Sequence, residues 1–112
     1  MEFEKYDVLV DPSADQRLAI HMEFLARVSE EAAARLYKDY EEALGFLKKS
    51  PESCPLYIPK IPIDSILRYK LIGKRYRIVL EIVGNAVYVY DIQDCRKNVD
   101  KNLLNNHLVE PY

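Results

Sequence analysis

The chain has 112 residues, 49% of them hydrophobic, and carries 16 Lys and Arg against 18 Asp and Glu, a formal charge of −2. That length suits a single domain over residues 1–112 whose core needs neither disulfides nor a metal. A net acidic balance counts against a strong non-specific binder of nucleic acid, because long-range attraction to a polyanion needs a basic surface.

No apolar run approaches the ~20 residues a membrane span requires, since Glu81 and Asp91 interrupt the longest one. The start, Met1-Glu2-Phe3-Glu4-Lys5, lacks the basic and apolar regions of a signal peptide, and the only cysteines are Cys54 and Cys95. A soluble cytoplasmic protein with no membrane partner is expected. Charge is uneven: residues 1–52 hold 7 basic and 12 acidic side chains, residues 53–112 hold 9 and 6.

In chain order, Lys5 to Val10 reads as a short strand in which Leu9 suggests partial burial on both faces and a central or second-row place in a sheet. Asp11-Pro12 reads as an N-cap followed by proline in the first turn. The helix it opens carries Ala14, Leu18, His21, Met22, Leu25 and Val28 on one face of residues 12–28. Ser29 caps a second helix with Glu30 and Glu31 in its first turn and Ala33, Leu36, Tyr40, Leu44 and Leu47 as its apolar stripe. The two helices form a hairpin that packs on one side of a sheet. Between Ser50 and Pro62 stand Pro51, Pro55, Pro59 and Pro62, so an extended crossing segment without regular structure is expected.

Arg68 to Arg77 places five cations in ten residues, with no acid between Ser65 and Leu80. Apolar and charged residues alternate around Gly73-Lys74, the pattern of a hairpin with a two-residue loop. That loop sets Lys70 opposite Arg77. It gives one face with Leu67, Tyr69, Leu71, Tyr76, Ile78, Leu80 and Ile82, and another with Arg68, Lys70, Arg75 and Arg77. Opposed like charges disfavour folding, which points to a bound anion such as nucleic acid or an acidic protein segment; a solvated cationic face is the plain alternative.

Gly84-Asn85 closes a second hairpin, with Arg77 opposite Ile92 and Arg75 opposite Asp94, so Tyr88 and Tyr90 join the basic face unless a bulge near Asp91 shifts them. Phenol rings beside cations suit base stacking with phosphate contacts; burial under the C-terminal tail is an equal reading. Arg96 and Lys97 add two cations, and residues 99–107 suit a short helix. His21 reads as a packed side chain. With His107 the only other histidine, no Cys/His cluster has metal-ligand spacing, and no cofactor motif is present. Cys95, beside Arg96 with no histidine base near it in sequence, reads as a buried or idle thiol.

Asp11-Pro12-Ser13-Ala14, Ala33 with Leu36, Leu47 to Pro51, and above all Gly73-Lys74-Arg75-Tyr76-Arg77-Ile78-Val79 resemble the RelE/ParE superfamily of toxins over residues 5 to about 100. The resemblance implies an α+β fold: a two-helix hairpin on a small, antiparallel-rich sheet of four strands in the order β-α-α-β-β-β. It implies the toxin of a type II toxin–antitoxin module, neutralised by a cognate antitoxin.

RelE-like members cut mRNA on the ribosome without metal, which implies catalytic roles for Arg77, Lys70 and Arg96, with Arg68, Arg75, Lys97, Tyr88 and Tyr90 holding RNA. ParE-like members inhibit DNA gyrase without catalysis, and a degenerate member only binds its antitoxin. The chain departs from the RelE pattern in reading Val99-Asp100-Lys101-Asn102-Leu103 where a tyrosine or histidine is usual, and Asp94-Cys95-Arg96 where a His-Arg or Lys-Arg pair is common.

Overall fold

The computed structural model describes residues 5–96. β1 (Asp7–Val10) leads into α1 (Pro12–Ala26), whose start is set by the Asp11 carboxylate accepting the Ser13 amide at 2.9 Å, with Pro12 where a missing N–H costs nothing. Ser29 caps α2 (Glu30–Leu47) by accepting the Ala32 amide at 3.1 Å. Ala14 and Leu18 of α1 are buried, with Met22 and Leu25 packed beside them; Ala33, Leu36, Tyr40, Ala43 and Leu47 are the buried stripe of α2. Val28, placed by spacing on the apolar face of α1, lies beyond the helix end and is 84% exposed. The hairpin turn begins at residue 27, so helical periodicity no longer orients that side chain.

The proline-rich stretch is more regular than expected. Pro51–Ser53 makes one 3₁₀ turn, and Leu56–Tyr57 forms β2 against Arg68 and Leu67. Then come β3 (Leu67–Ile72), β4 (Tyr76–Val83) and β5 (Ala86–Asp94). Among the described residues the sheet therefore has five strands, in the order β1-β5-β4-β3-β2, with only β1 and β5 parallel. β1 sits at the edge rather than in the middle. Among the described residues it pairs on one side only, with residues 86–89, and Leu9 stays 48% exposed.

Both helices cover one face, where Ile72, Tyr76, Ile78, Leu80, Val87, Val89 and Ile92 join the helix side chains in the main core. The opposite face gathers Tyr57, Leu67 and Val79, with Tyr69, Tyr90 and Ile63 against them.

The β3–β4 register corrects the sequence reading by one residue. Ile72 pairs with Tyr76, Leu71 with Arg77 and Lys70 with Ile78, so the loop is Gly73-Lys74-Arg75, with Gly73 at φ +61°. A one-residue shift exchanges the faces of one strand relative to the other. Burial decides it: Ile72 and Tyr76 both lie in the helix-side core, 2% and 4% exposed, whereas a two-residue loop would set an arginine opposite Ile72. Leu67, Tyr69 and Leu71 thus face away from the helices while Tyr76, Ile78, Leu80 and Ile82 face them. The Gly84-Asn85 hairpin has the expected pairs up to Leu80 and Val89; then Tyr90 is bulged out, and Val79 pairs with Asp91, Ile78 with Ile92 and Arg77 with Gln93.

Candidate functional site

The register divides the cations that the sequence placed on one face. Arg68 and Lys70 alternate with Leu67, Tyr69 and Leu71 and so point to the helix side, while Arg77 alternates with Ile78 and points away from it. Lys70 across from Arg77 does not occur.

On the face away from the helices, Arg77 is held by neutral groups. Its Nε donates to Gln93 Oε1 at 2.8 Å, its Nη2 donates to Tyr57 Oη at 3.3 Å, and its guanidinium lies 4.7 Å from the Tyr57 ring centre. Tyr57 Oη also donates to Gln93 Oε1 at 3.2 Å, and Gln93 Nε2 reaches Asp91 Oδ2 at 3.4 Å. Gln93 and Asp91 are fully buried, so this network fixes the arginine from below.

Tyr88 and Tyr90 lie on the same face, half-buried, their rings 6.2 Å apart and within 15° of parallel. Tyr90 Oη donates to Glu81 at 2.8 Å; burial first, and then that carboxylate, push its phenol well above the ordinary tyrosine value. Tyr69, edge-on to Tyr57 at 6.3 Å, is a fourth tyrosine on this face, where Tyr57 is the one in contact with Arg77.

Arg75 and Arg96 belong to another group, at the end of the sheet by the β3–β4 loop. Both pair with Asp94, at 3.0 and 3.3 Å, and Arg75 also lies over the rings of Phe24 and Tyr76. Burial alone would raise the Asp94 carboxyl, but hydrogen bonds from Arg96 and Arg75 outweigh it and hold the group at about 2. His21 stacks near Tyr76 at 4.9 Å, and its Nε2 lies 2.7 Å from the Ile92 carbonyl.

Lys70 sits over the Phe46 ring, 4.4 Å from its centre, beside a cavity of about 460 Å³ between α2 and β3. Arg68 ties β3 to the proline-rich stretch, donating to the Cys54 carbonyl at 2.6 Å. Burial raises the Cys54 thiol, which lies in the main core, whereas Cys95 is exposed. Lys97 and the proposed helix of 99–107 lie outside the described residues.

No protein-family model matches the chain, and no curated protein sequence does. Among solved structures, a chain of "Chromosomal ParDE TA system from P. aeruginosa" matches with a TM-score of 0.62 at 14% identity, over 82% of this chain and 98% of that one. The fold is RelE/ParE-like.

Within the RelE/ParE-like sheet, the eight site residues read from the sequence fall into separate places: Arg77, Tyr88 and Tyr90 together on the outer face, Arg75 and Arg96 at the loop end, Lys70 and Arg68 toward α2, Lys97 not described. Tyr57, Tyr69 and Gln93 were missed. Gln93 left a trace only as an amide between Ile92 and Asp94, and Tyr57 was hidden by the prolines around it.

Proposed function

We propose that this chain is the toxin of a type II toxin–antitoxin module, neutralised by a cognate antitoxin, and that its outer sheet face binds RNA. The observation that carries the RNA reading is the state of Arg77. Among the described residues its partners are the oxygens of an amide and a phenol, so its charge is oriented there without a carboxylate at contact, unlike those of Arg75 and Arg96. An oriented guanidinium on the same sheet face as a stacked pair of phenol rings suits a strand whose phosphate and unstacked bases are held at separate points.

On the ribosome, such a face would support metal-independent mRNA cleavage, in which a ribose 2′-oxygen bonds to the adjacent phosphorus as the bond to the 5′-oxygen breaks, the 2′-hydroxyl giving its proton to water and the departing 5′-oxygen taking one from water. Arg77 would stabilise the charge that develops on the phosphoryl oxygens. Lys70 and Arg96, on other surfaces, have no part in this version of the site.

A second reading is non-enzymatic inhibition of DNA gyrase, favoured by the likeness to a chain of a ParDE system. Two assays with the purified protein separate the readings. Codon-positioned mRNA cuts in an in vitro translation reaction, lost in Arg77→Ala, support the first. Intact mRNA together with inhibited gyrase supercoiling supports the second. Neither effect would leave a chain that only binds its antitoxin.

A further inference from the structure

The outer face is not uniformly cationic. Glu81 pairs with Tyr88 across β4 and β5, next to the pair of Leu80 and Val89 in the helix-side core, so Glu81 and Tyr88 point away from the helices, as Arg77 does. The carboxylate accepts from Tyr90 Oη at 2.8 Å through Oε1. Among the described residues Oε2 has no hydrogen-bond partner, and no cation is in contact with either oxygen. A half-buried carboxylate held by one neutral donor keeps most of its acceptor capacity. The Asp11 carboxylate, which also acts on the Tyr90 phenol, differs in being engaged by the amide and hydroxyl of Ser13 as the cap of α1.

The rings say what reaches this carboxylate. Tyr88 and Tyr90 are already stacked, within 15° of parallel, and Tyr88 stands directly opposite Glu81. Directly opposed side chains start about 5 Å apart, so a planar base that joins the stack has its edge within reach of the carboxylate. Like charge keeps a phosphate away from that end, so the group that meets Glu81 must be a donor. Guanine presents N1–H and its N2 amino group side by side, two donors that match the two oxygens of a carboxylate. Adenine and cytosine present one amino group beside a ring-nitrogen acceptor, and uracil one N–H between two carbonyls, so each sets an acceptor against the negative charge.

We propose that Glu81 reads guanine in the strand that the outer face binds. The inference rests on the RNA reading of Arg77 and adds a base preference to it. Glu81 lies four residues along β4 from Arg77, about 13 Å at the rise of a strand, so the guanine and the phosphate at Arg77 come from neighbouring nucleotides. The strand must be single, because in a duplex the same two guanine donors are paired with cytosine.

The probes are single-stranded pentaribonucleotides of uracil with one central guanine, inosine or adenine, titrated into the full chain and followed by fluorescence anisotropy. The guanine strand should bind at least ~tenfold more tightly than the adenine strand, the worth of a hydrogen bond to a charged group. Inosine, which keeps N1–H and lacks the N2 amino group, should fall between them. Glu81→Gln keeps an acceptor for Tyr90 Oη and loses the second one, and should bind the guanine and adenine strands equally. Arg77→Ala should weaken every strand to a similar degree. Binding without preference for guanine, or a preference that survives Glu81→Gln, would overturn the role of Glu81 and leave the RNA reading standing. An inosine strand bound as tightly as the guanine strand would overturn it in the unaltered chain, whether or not the variant folds. No binding of any strand would remove the RNA reading and this proposal together.

Discussion

Arg77 and Gln93 pair directly across β4 and β5, and the arginine Nε donates to the glutamine Oε1 at 2.8 Å. The same oxygen accepts from Tyr57 Oη at 3.2 Å, and Gln93 is fully buried. Gln93→Leu keeps the bulk of the side chain and removes the shared acceptor, leaving two donors short of a partner. A loss of roughly 1–3 kcal/mol in urea unfolding is expected, with Tyr57→Phe nearer the low end, since it leaves Gln93 Oε1 bonded to Arg77 Nε and takes an acceptor only from Nη2 of the half-buried arginine, which water can reach.

Separation of the cations onto different surfaces makes a functional prediction. If Arg77 acts on RNA, Arg77→Ala should abolish growth arrest on induced expression, while Lys70→Ala, on the helix side, should leave arrest in place. Circular dichroism of both variants would show whether either change works through the fold. Arrest lost equally in both would mean that the active surface lies on neither face alone.

Asp94 sets an acid limb of stability. Its carboxyl is held at about 2 against an unfolded value near ~3.9, so its contribution is complete above about pH 4 and disappears as the pH falls toward 2. Asp94→Asn should be less stable at pH 7 and should show a shallower loss of stability over that window in a pH series of thermal melts. An unchanged slope would mean that the Arg75 and Arg96 contacts do not persist in solution.

Two glycines should respond in opposite senses. Gly84 has φ +61° in the β4–β5 turn and open space around it, so Gly84→Ala meets no neighbour and should cost about 1 kcal/mol through the backbone alone. Gly45 lies in α2, also with nothing near, so Gly45→Ala should stabilise by about 0.5–1 kcal/mol. Denaturant midpoints of the two single variants measure both.

Elements with local causes were legible in the chain. Asp11-Pro12 and Ser29 mark helix starts because capping is settled within three residues, and the apolar stripe of α2 needs only helical spacing. Faces of the sheet were not, because they depend on register, and register was decided at a distance. Ile72 and Tyr76 had to reach the helix core together, which lengthened the loop by one residue, and Arg75 found Asp94 from within that loop. The extra residue at Tyr90 then changed which β5 side chains accompany Arg77, bringing Gln93 beneath it in place of Ile92. The site was thus legible as a list of residue types, and its grouping only after two hairpins were laid side by side.

β1 is the first of the described strands to be made, and it pairs with residues 86–89, near the end of the described chain. During synthesis it has no partner until nearly everything between has emerged, and the helical hairpin can form long before the sheet it covers is closed. A nascent chain of this kind stays incomplete at the β1 edge until β5 arrives. Truncation within β5 should therefore leave β1 without its partner and bare the adjoining side of β4.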